Sequence, residues 1–162
     1  MAYLSIEKGK ENEILRTVSK EVKRFDAKLK KFFVDMRETM FKADGVGIAA
    51  PQVSENIRAV VCRFNHGTKN ELIVDMVNPV IIETSKQTDI HDEGCLSLPN
   101  HFEPVERYSA LTVKFFDKKG NETILKLTGW NARIVQHEVD HIDGMLFIDR
   151  VHRSHKVSHG KD

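Results

Sequence analysis

Trp130-Asn131-Ala132-Arg133-Ile134-Val135-Gln136-His137-Glu138-Val139-Asp140-His141-Ile142 is the stretch from which this chain is best read. Its spacing predicts a helix over Trp130–Ile142, with Ile134, His137 and His141 along one side and Gly144 ending it. Residues four apart on a helix lie one turn from each other on the same face, so His137 and His141 can grip a single metal ion. Glu138 then stands beside that ion, where a carboxylate can take a proton from a water on the metal. That is the arrangement of a hydrolytic metal centre.

The chain has 162 residues, enough for one domain with its own apolar core. We expect a single catalytic domain over residues 1–150 and a short polar tail over 151–162, in which His152, His155 and His159 recur at roughly helical spacing. Lys and Arg number 25 against 24 Asp and Glu, a formal charge of +1. Such a balance predicts no direct nucleic-acid binding and no membrane partner. The N-terminus lacks a long apolar run and no segment approaches the length of a membrane span, so a soluble, cytoplasmic protein is expected.

Upstream, Asp26 to Ala43 carries an apolar stripe of Leu29, Phe32, Phe33, Met36 and Met40, with Lys28, Lys30, Lys31, Arg37 and Glu38 opposite. Asp26 is the expected N-cap, and Asp44-Gly45 the break. From Ile57 to Thr84 the pattern becomes β-branched, with a turn at Asn65–Asn70 and an interruption at Asn78-Pro79. Ala110–Asp117 and Glu122–Thr128 flank the turn Lys118-Lys119-Gly120-Asn121, and Met145–Ile148 reads as a short strand. Short turns between successive strands imply antiparallel pairing.

Two imidazoles leave a tetrahedral site short of one protein ligand if a position is to stay open for water. Of the two cysteines, Cys62 lies in Ala59-Val60-Val61-Cys62, the setting of a buried strand. Cys95 lies in Glu93-Gly94-Cys95-Leu96-Ser97, a turn-like context with no packing reason for sulfur, and is the natural third donor. A Cys/His/His set suits zinc, ferrous iron, nickel or cobalt. Gly45-Val46-Gly47-Ile48-Ala49-Ala50-Pro51-Gln52 is neither a phosphate loop nor a dinucleotide fingerprint. Its small residues let another backbone come close, and Gln52 offers an amide to a developing oxyanion. On these residues alone, a zincin-like protease or another amidase stays open, as does a metal-containing protein that only binds peptides. An intact Glu138 and Gln52 speak against a pure binder.

In chain order, Gly45–Gln52, Glu93–Ser97 and Gln136–His141 resemble the three signature motifs of the peptide deformylases, and the likeness spans the chain from about Glu13 through Ile148. The resemblance implies an α+β fold in which antiparallel β-sheets pack around a central C-terminal helix bearing the HExxH motif, with an additional N-terminal helix. It also implies a metal-dependent hydrolase that removes the formyl group from N-terminal formyl-methionine of nascent polypeptides and releases formate. Cys95, His137 and His141 would hold one divalent ion, ferrous iron first, with zinc, nickel or cobalt able to substitute. Glu138 would be the general acid/base, and Gln52 and the backbone N–H of Leu96 the oxyanion hole. Val46, Trp130, Ile134 and the face of His137 would line a methionine pocket, Gly47 would pair its backbone with the peptide, and Glu93 and Gln136 would orient the ligands. The partners implied are N-formylmethionyl nascent peptides, with transient ribosome proximity. Three departures stand out. Ile6–Asn12 replaces a proline-containing segment, Asp44 stands where glutamate is common, and Phe102 lies near a position where some members have arginine. The tail after Val151 is short beside the C-terminal helix that some bacterial members place against the ribosome.

Overall fold

The structure, a computed structural model, describes residues 3–153. The first helix, α1, spans Ala27–Lys42, and the Asp26 carboxylate caps it by accepting the Leu29 N–H at 3.0 Å. Leu29, Phe33, Met36 and Met40 are its buried stripe, and Phe32 is only half-buried. Each such side chain contributes about 1.5–3 kcal/mol when fully buried. At the other end Asp44 turns the chain at φ 54°, and the Gly45 N–H reaches back to Met40 O at 2.9 Å. The chain can then enter β1 (Gly47–Ala49), the edge of a sheet.

That sheet is antiparallel throughout, in the order β1-β2-β3-β6-β7, with β2 at Ala59–Phe64, β3 at Leu72–Thr84, β6 at Ala110–Phe116 and β7 at Glu122–Thr128. Alternation along β2 explains why both of its faces are buried. Val60, Cys62 and Phe64 join the cluster around Ala132, Ile134, Val135 and Ile142 of α2 (Gly129–Ile142), while Ala59 and Val61 join the cluster of α1. The C-terminal helix thus packs on one face of the sheet and the N-terminal helix on the other, and Cys62 is core, as expected. Gly144 follows α2 at φ 74°, so close to the chain that a Cβ would lie 2.7 Å from Arg16 O.

Three local expectations change. Asn78-Pro79 does not end β3. It forms a bulge between Val77 and Val80, where proline forfeits no ladder bond. Asn78 (φ 52°) staples that bulge to the N-terminal segment, accepting the Val22 N–H at 2.8 Å and donating to Val22 O at 2.9 Å. Met145–Ile148 is not a strand. Phe147–Arg150 is a 3₁₀ turn, held by the Asp149 carboxylate accepting the Leu146 N–H. Finally, β4 (Thr88–Cys95) and β5 (Leu98–Tyr108) form a separate two-stranded sheet that the sequence pattern did not announce. Most of its residues are polar or half-exposed, so no apolar alternation marks it. Beyond residue 150 the chain keeps contact through a Val151–Val105 bridge and a His152 N–H to Pro104 O bond of 2.7 Å. His155 and His159 lie outside the described residues.

Candidate active site

Helix α2 and the β4–β5 turn bring three donors together. The ligand atoms of Cys95, His137 and His141 all lie within 4.8 Å of one another, with Cys95 Sγ 3.3 Å from His141 Nε2. His137 is fixed from behind by a 2.8 Å bond from Nδ1 to Glu93 Oε1. A carboxylate can only accept, so Nδ1 carries the proton and Nε2 is left as the donor atom. Burial pushes the Cys95 thiol up, but the facing His141 and hydrogen bonds from His137 and His141 outweigh it and hold the thiol well below its ordinary range. Ser97 N–H adds a contact to Cys95 Sγ at 3.4 Å.

Glu138 is buried one residue beyond His137, and its Oε2 has no hydrogen-bond partner among the described residues. Burial is the main cause that pushes its carboxyl up to about 7. Room for it is made by Gly47, where a Cβ would sit 2.8 Å from Glu138 Cδ. Gln52 is fully buried in the 3₁₀ turn Ala50–Val53. Its Oε1 accepts the Ala49 N–H at 2.9 Å, which turns Nε2 toward Ser97 Oγ (3.1 Å) and Cys95 Sγ (3.6 Å). A cavity of about 500 Å³ opens in front of these groups, and Val46, Gly47, Leu96, Trp130, Ile134 and the His137 ring all line it.

The polypeptide deformylase family profile matches residues 5–157 of the chain. The chain belongs to the polypeptide deformylase family. Within that family, the peptide deformylase of Caldicellulosiruptor bescii is 46% identical over 143 residues, covering 88% of this chain and 82% of its own. Peptide deformylase 1 of Bacillus subtilis is 44% identical over 140 residues, covering 86% and 84%. The crystal structure of the Thermotoga maritima peptide deformylase superposes with a TM-score of 0.88 at 38% identity, over 94% of this chain and 100% of that one. A Met-Ala-Ser-bound class I type b peptide deformylase from Acinetobacter baumannii gives 0.85 at 36%, over 93% and 99%. The family is metal-dependent, and the donors fit: two imidazoles and one thiol converge, with an unpartnered buried carboxylate oxygen beside them.

Several polar residues here escaped the sequence reading. Glu93 lies between two arginines: Arg107 Nε and Nη2 donate to Oε2 and Oε1 at 2.8 and 2.9 Å, and Arg133 Nη1 to Oε2 at 2.7 Å. Arg107 Nη1 also reaches Asp140 Oδ2 (2.6 Å), which Arg150 Nε holds from the other side at 2.7 Å. Arg133 also pairs with Asp89. A signal was available for part of this, since Arg133 and Asp140 stand seven apart, on one face of a helix expected to be central. Gln136 makes no hydrogen bond to either imidazole. It ties α2 to β5, accepting the Tyr108 N–H at 3.0 Å and donating to Tyr108 O at 2.9 Å.

Burial pushes the Glu93 carboxyl up, yet the bonds and charges of Arg107 and His137 overcome this and hold it well below the carboxylate range. Because its folded pKa is depressed, its contribution to stability is fully present above the unfolded value of about 4.3 and is lost as pH falls toward the folded value. Arg107→Ala removes the partner that Glu93 and Asp140 share, leaving Arg133 and His137 on the first and Arg150 on the second, and an unfolding free energy lower by about 1–3 kcal/mol is expected in urea titrations at neutral pH. A loss well under about 1 kcal/mol, the range of exposed pairs, would show that the network is not sealed from water.

Proposed function

We propose that Cys95, His137 and His141 hold one divalent ion, that Glu138 moves the proton, and that the adjoining cavity seats the methionine of the substrate. The enzyme is a metal-dependent hydrolase that removes the N-formyl group from the N-terminal formyl-methionine of nascent polypeptides and releases formate. The observation that carries the residue assignment is the convergence of Cys95 Sγ with the two imidazoles. A protease reading required Cys95 to stand apart from them.

When bound, the ion acidifies a water so that a hydroxide nucleophile is available near neutral pH. The remaining work belongs to the chain. Glu138, raised toward neutrality and unpartnered at Oε2, accepts the proton of the attacking water and returns it to the leaving amine. The Gln52 amide, oriented through the Ala49 N–H and Ser97, and the Leu96 N–H donate to the oxyanion that forms on the formyl oxygen. Glu93 holds the His137 ring, while Gln136 secures the helix that carries it. The methionine side chain enters the cavity past Val46, Ile134 and Trp130, and the peptide backbone extends the sheet at Gly47 on edge strand β1. Met-Ala-Ser, bound to the Acinetobacter baumannii relative, is what deformylation of a formyl-Met-Ala-Ser peptide leaves.

Ferrous iron is the ion we assign, with zinc, nickel or cobalt as substitutes that the same donors accept. None of the described helices is long and apolar enough to cross a membrane. We place the enzyme in the cytoplasm, near the ribosome, where formylated chains emerge. The test is formate release from a formyl-Met peptide, measured anaerobically with iron or aerobically with nickel, against cleavage of internal peptide bonds. Formate release should dominate, and the opposite ratio would make the enzyme a protease.

A further inference from the structure

The two proposed oxyanion donors come from distant parts of the chain, Gln52 from the 3₁₀ turn after β1 and the Leu96 N–H from the turn between β4 and β5. We infer that the N-terminal segment Glu7–Asn12 sets their separation, with Glu7 as a positioning residue of the reaction. The inference rests on the deformylase reading, in which Gln52 and Leu96 hold the formyl oxygen.

One short segment grips both turns. The Glu7 N–H donates to Gln52 O at 2.7 Å, and two residues later the Gly9 N–H donates to Ser97 O at 3.0 Å, next to Leu96. The Glu7 carboxylate takes a second hold on the Gln52 turn by accepting the hydroxyl of Ser54, the residue that ends this turn at φ 70°. Its other oxygen accepts Asn12 Nδ2 at 2.7 Å, and the Asn12 N–H closes a turn onto Gly9 O at 3.1 Å. Hydrogen bonds from Ser54 and Asn12 hold the Glu7 carboxyl below its ordinary value, so both oxygens act as acceptors at neutral pH.

The segment is anchored at each end. Before it, the Leu4 N–H donates to Thr39 Oγ1 of α1 at 2.9 Å. After it, Asn12 Oδ1 accepts the N–H groups of Ile14 and Leu15 at 3.1 and 3.3 Å, and Leu15 is buried in the cluster of Leu98 and Phe147. Among the described residues, the only other hydrogen bonds that join the two turns are those of the Gln52 amide itself, to Ser97 Oγ and Cys95 Sγ. The spacing of the donors therefore depends on the strap. Such spacing matters because donors must lie about 2.7–3.1 Å from the oxyanion, and a displacement of about 1 Å can cost about 100-fold in rate.

The test is kcat and KM for formate release from a formyl-Met peptide, per folded, metal-loaded enzyme, in Glu7→Ala, Glu7→Gln and Gly9→Ala. A Cβ at Gly9 meets nothing within 4 Å, so Gly9→Ala acts only through the backbone, held at φ 109°. Glu7→Ala and Gly9→Ala should each lower kcat by about tenfold, part of the roughly 100- to 1000-fold that losing a whole donor costs. KM should stay within about 2-fold and metal content should not change, because the oxyanion exists only beyond the ground state. Glu7→Gln keeps the length but offers a donor where one of two acceptors is needed, and its kcat should fall between Glu7→Ala and the parent. In a Gln52→Ala background Glu7→Ala should cost no more than about 3-fold, since most of what it positions is gone. An unchanged kcat in Glu7→Ala overturns the inference, as does a loss that falls on KM or metal content, or a full loss in the Gln52→Ala background. The single variants decide alone if Gln52→Ala does not fold. Full activity of Gln52→Ala would instead defeat the oxyanion reading and the strap with it, and no formate from the unaltered enzyme would defeat the deformylase reading.

Discussion

Glu138→Ala is expected to lower kcat by about 100- to 10,000-fold, the range that general acid–base groups supply, while the bound metal stays at the level of the unaltered enzyme. Two features of the site lead to this result. Glu138 is not one of the three converging donors, so its removal leaves the proposed ligand set in place. Its carboxyl is also the group best placed to exchange a proton in the cavity, pushed up to about 7 chiefly by burial and unpartnered at Oε2. Such a group is poorly solvated and is kept at a cost in stability, as catalytic carboxylates often are. The variant should therefore melt no lower than the parent. Glu138→Gln, which keeps the shape beside Gly47 but cannot accept the proton, should lose as much activity as Glu138→Ala. Retained turnover in either variant, with metal bound, would remove Glu138 from the proton path.

Cys95→Ala is expected to release the metal. Its affinity should fall by more than the roughly 10- to 100-fold typical when a residue supporting a ligand is lost. Glu93→Gln provides the comparison, because Glu93 bonds to His137 and is not one of the three converging donors, and its loss should stay within that smaller range. In Cys95→Ala the Ser97 N–H and the Gln52 amide lose the sulfur they face, and two imidazoles alone remain to hold the ion. Elemental analysis of protein prepared without added metal, paired with formate release, reads both consequences. Unchanged metal content in Cys95→Ala would take this residue out of the coordination sphere.

The chemistry of the site was legible early because it is local. His137 and His141 face one way on any helix through those residues, and Glu138 follows from adjacency. Cys62 and Cys95 were separable by context alone: one sits 0% exposed in β2, the other at the end of β4 beside His141. The stripe of α1 and the hairpin of β6 and β7 were equally visible, since apolar periodicity and turn residues report which side of an element is buried. The β4–β5 sheet was not, because residues such as His91, Asp92 and Glu93 carry no apolar alternation.

By itself, then, the sequence singled out the candidate donors, the candidate proton carrier and the two helices, all of which depend on spacing within a few residues. Only the tertiary structure decided what surrounds them. Glu93 meets Arg107, Arg107 meets Asp140, and Glu93 meets His137 across 14, 33 and 44 residues respectively. Those meetings depend on the β4–β5 register and on the docking of α2 against it, and neither leaves a periodic trace in the chain. The same long-range packing sets Gly47 against Glu138 and buries that carboxylate, which pushes its pKa up to about 7.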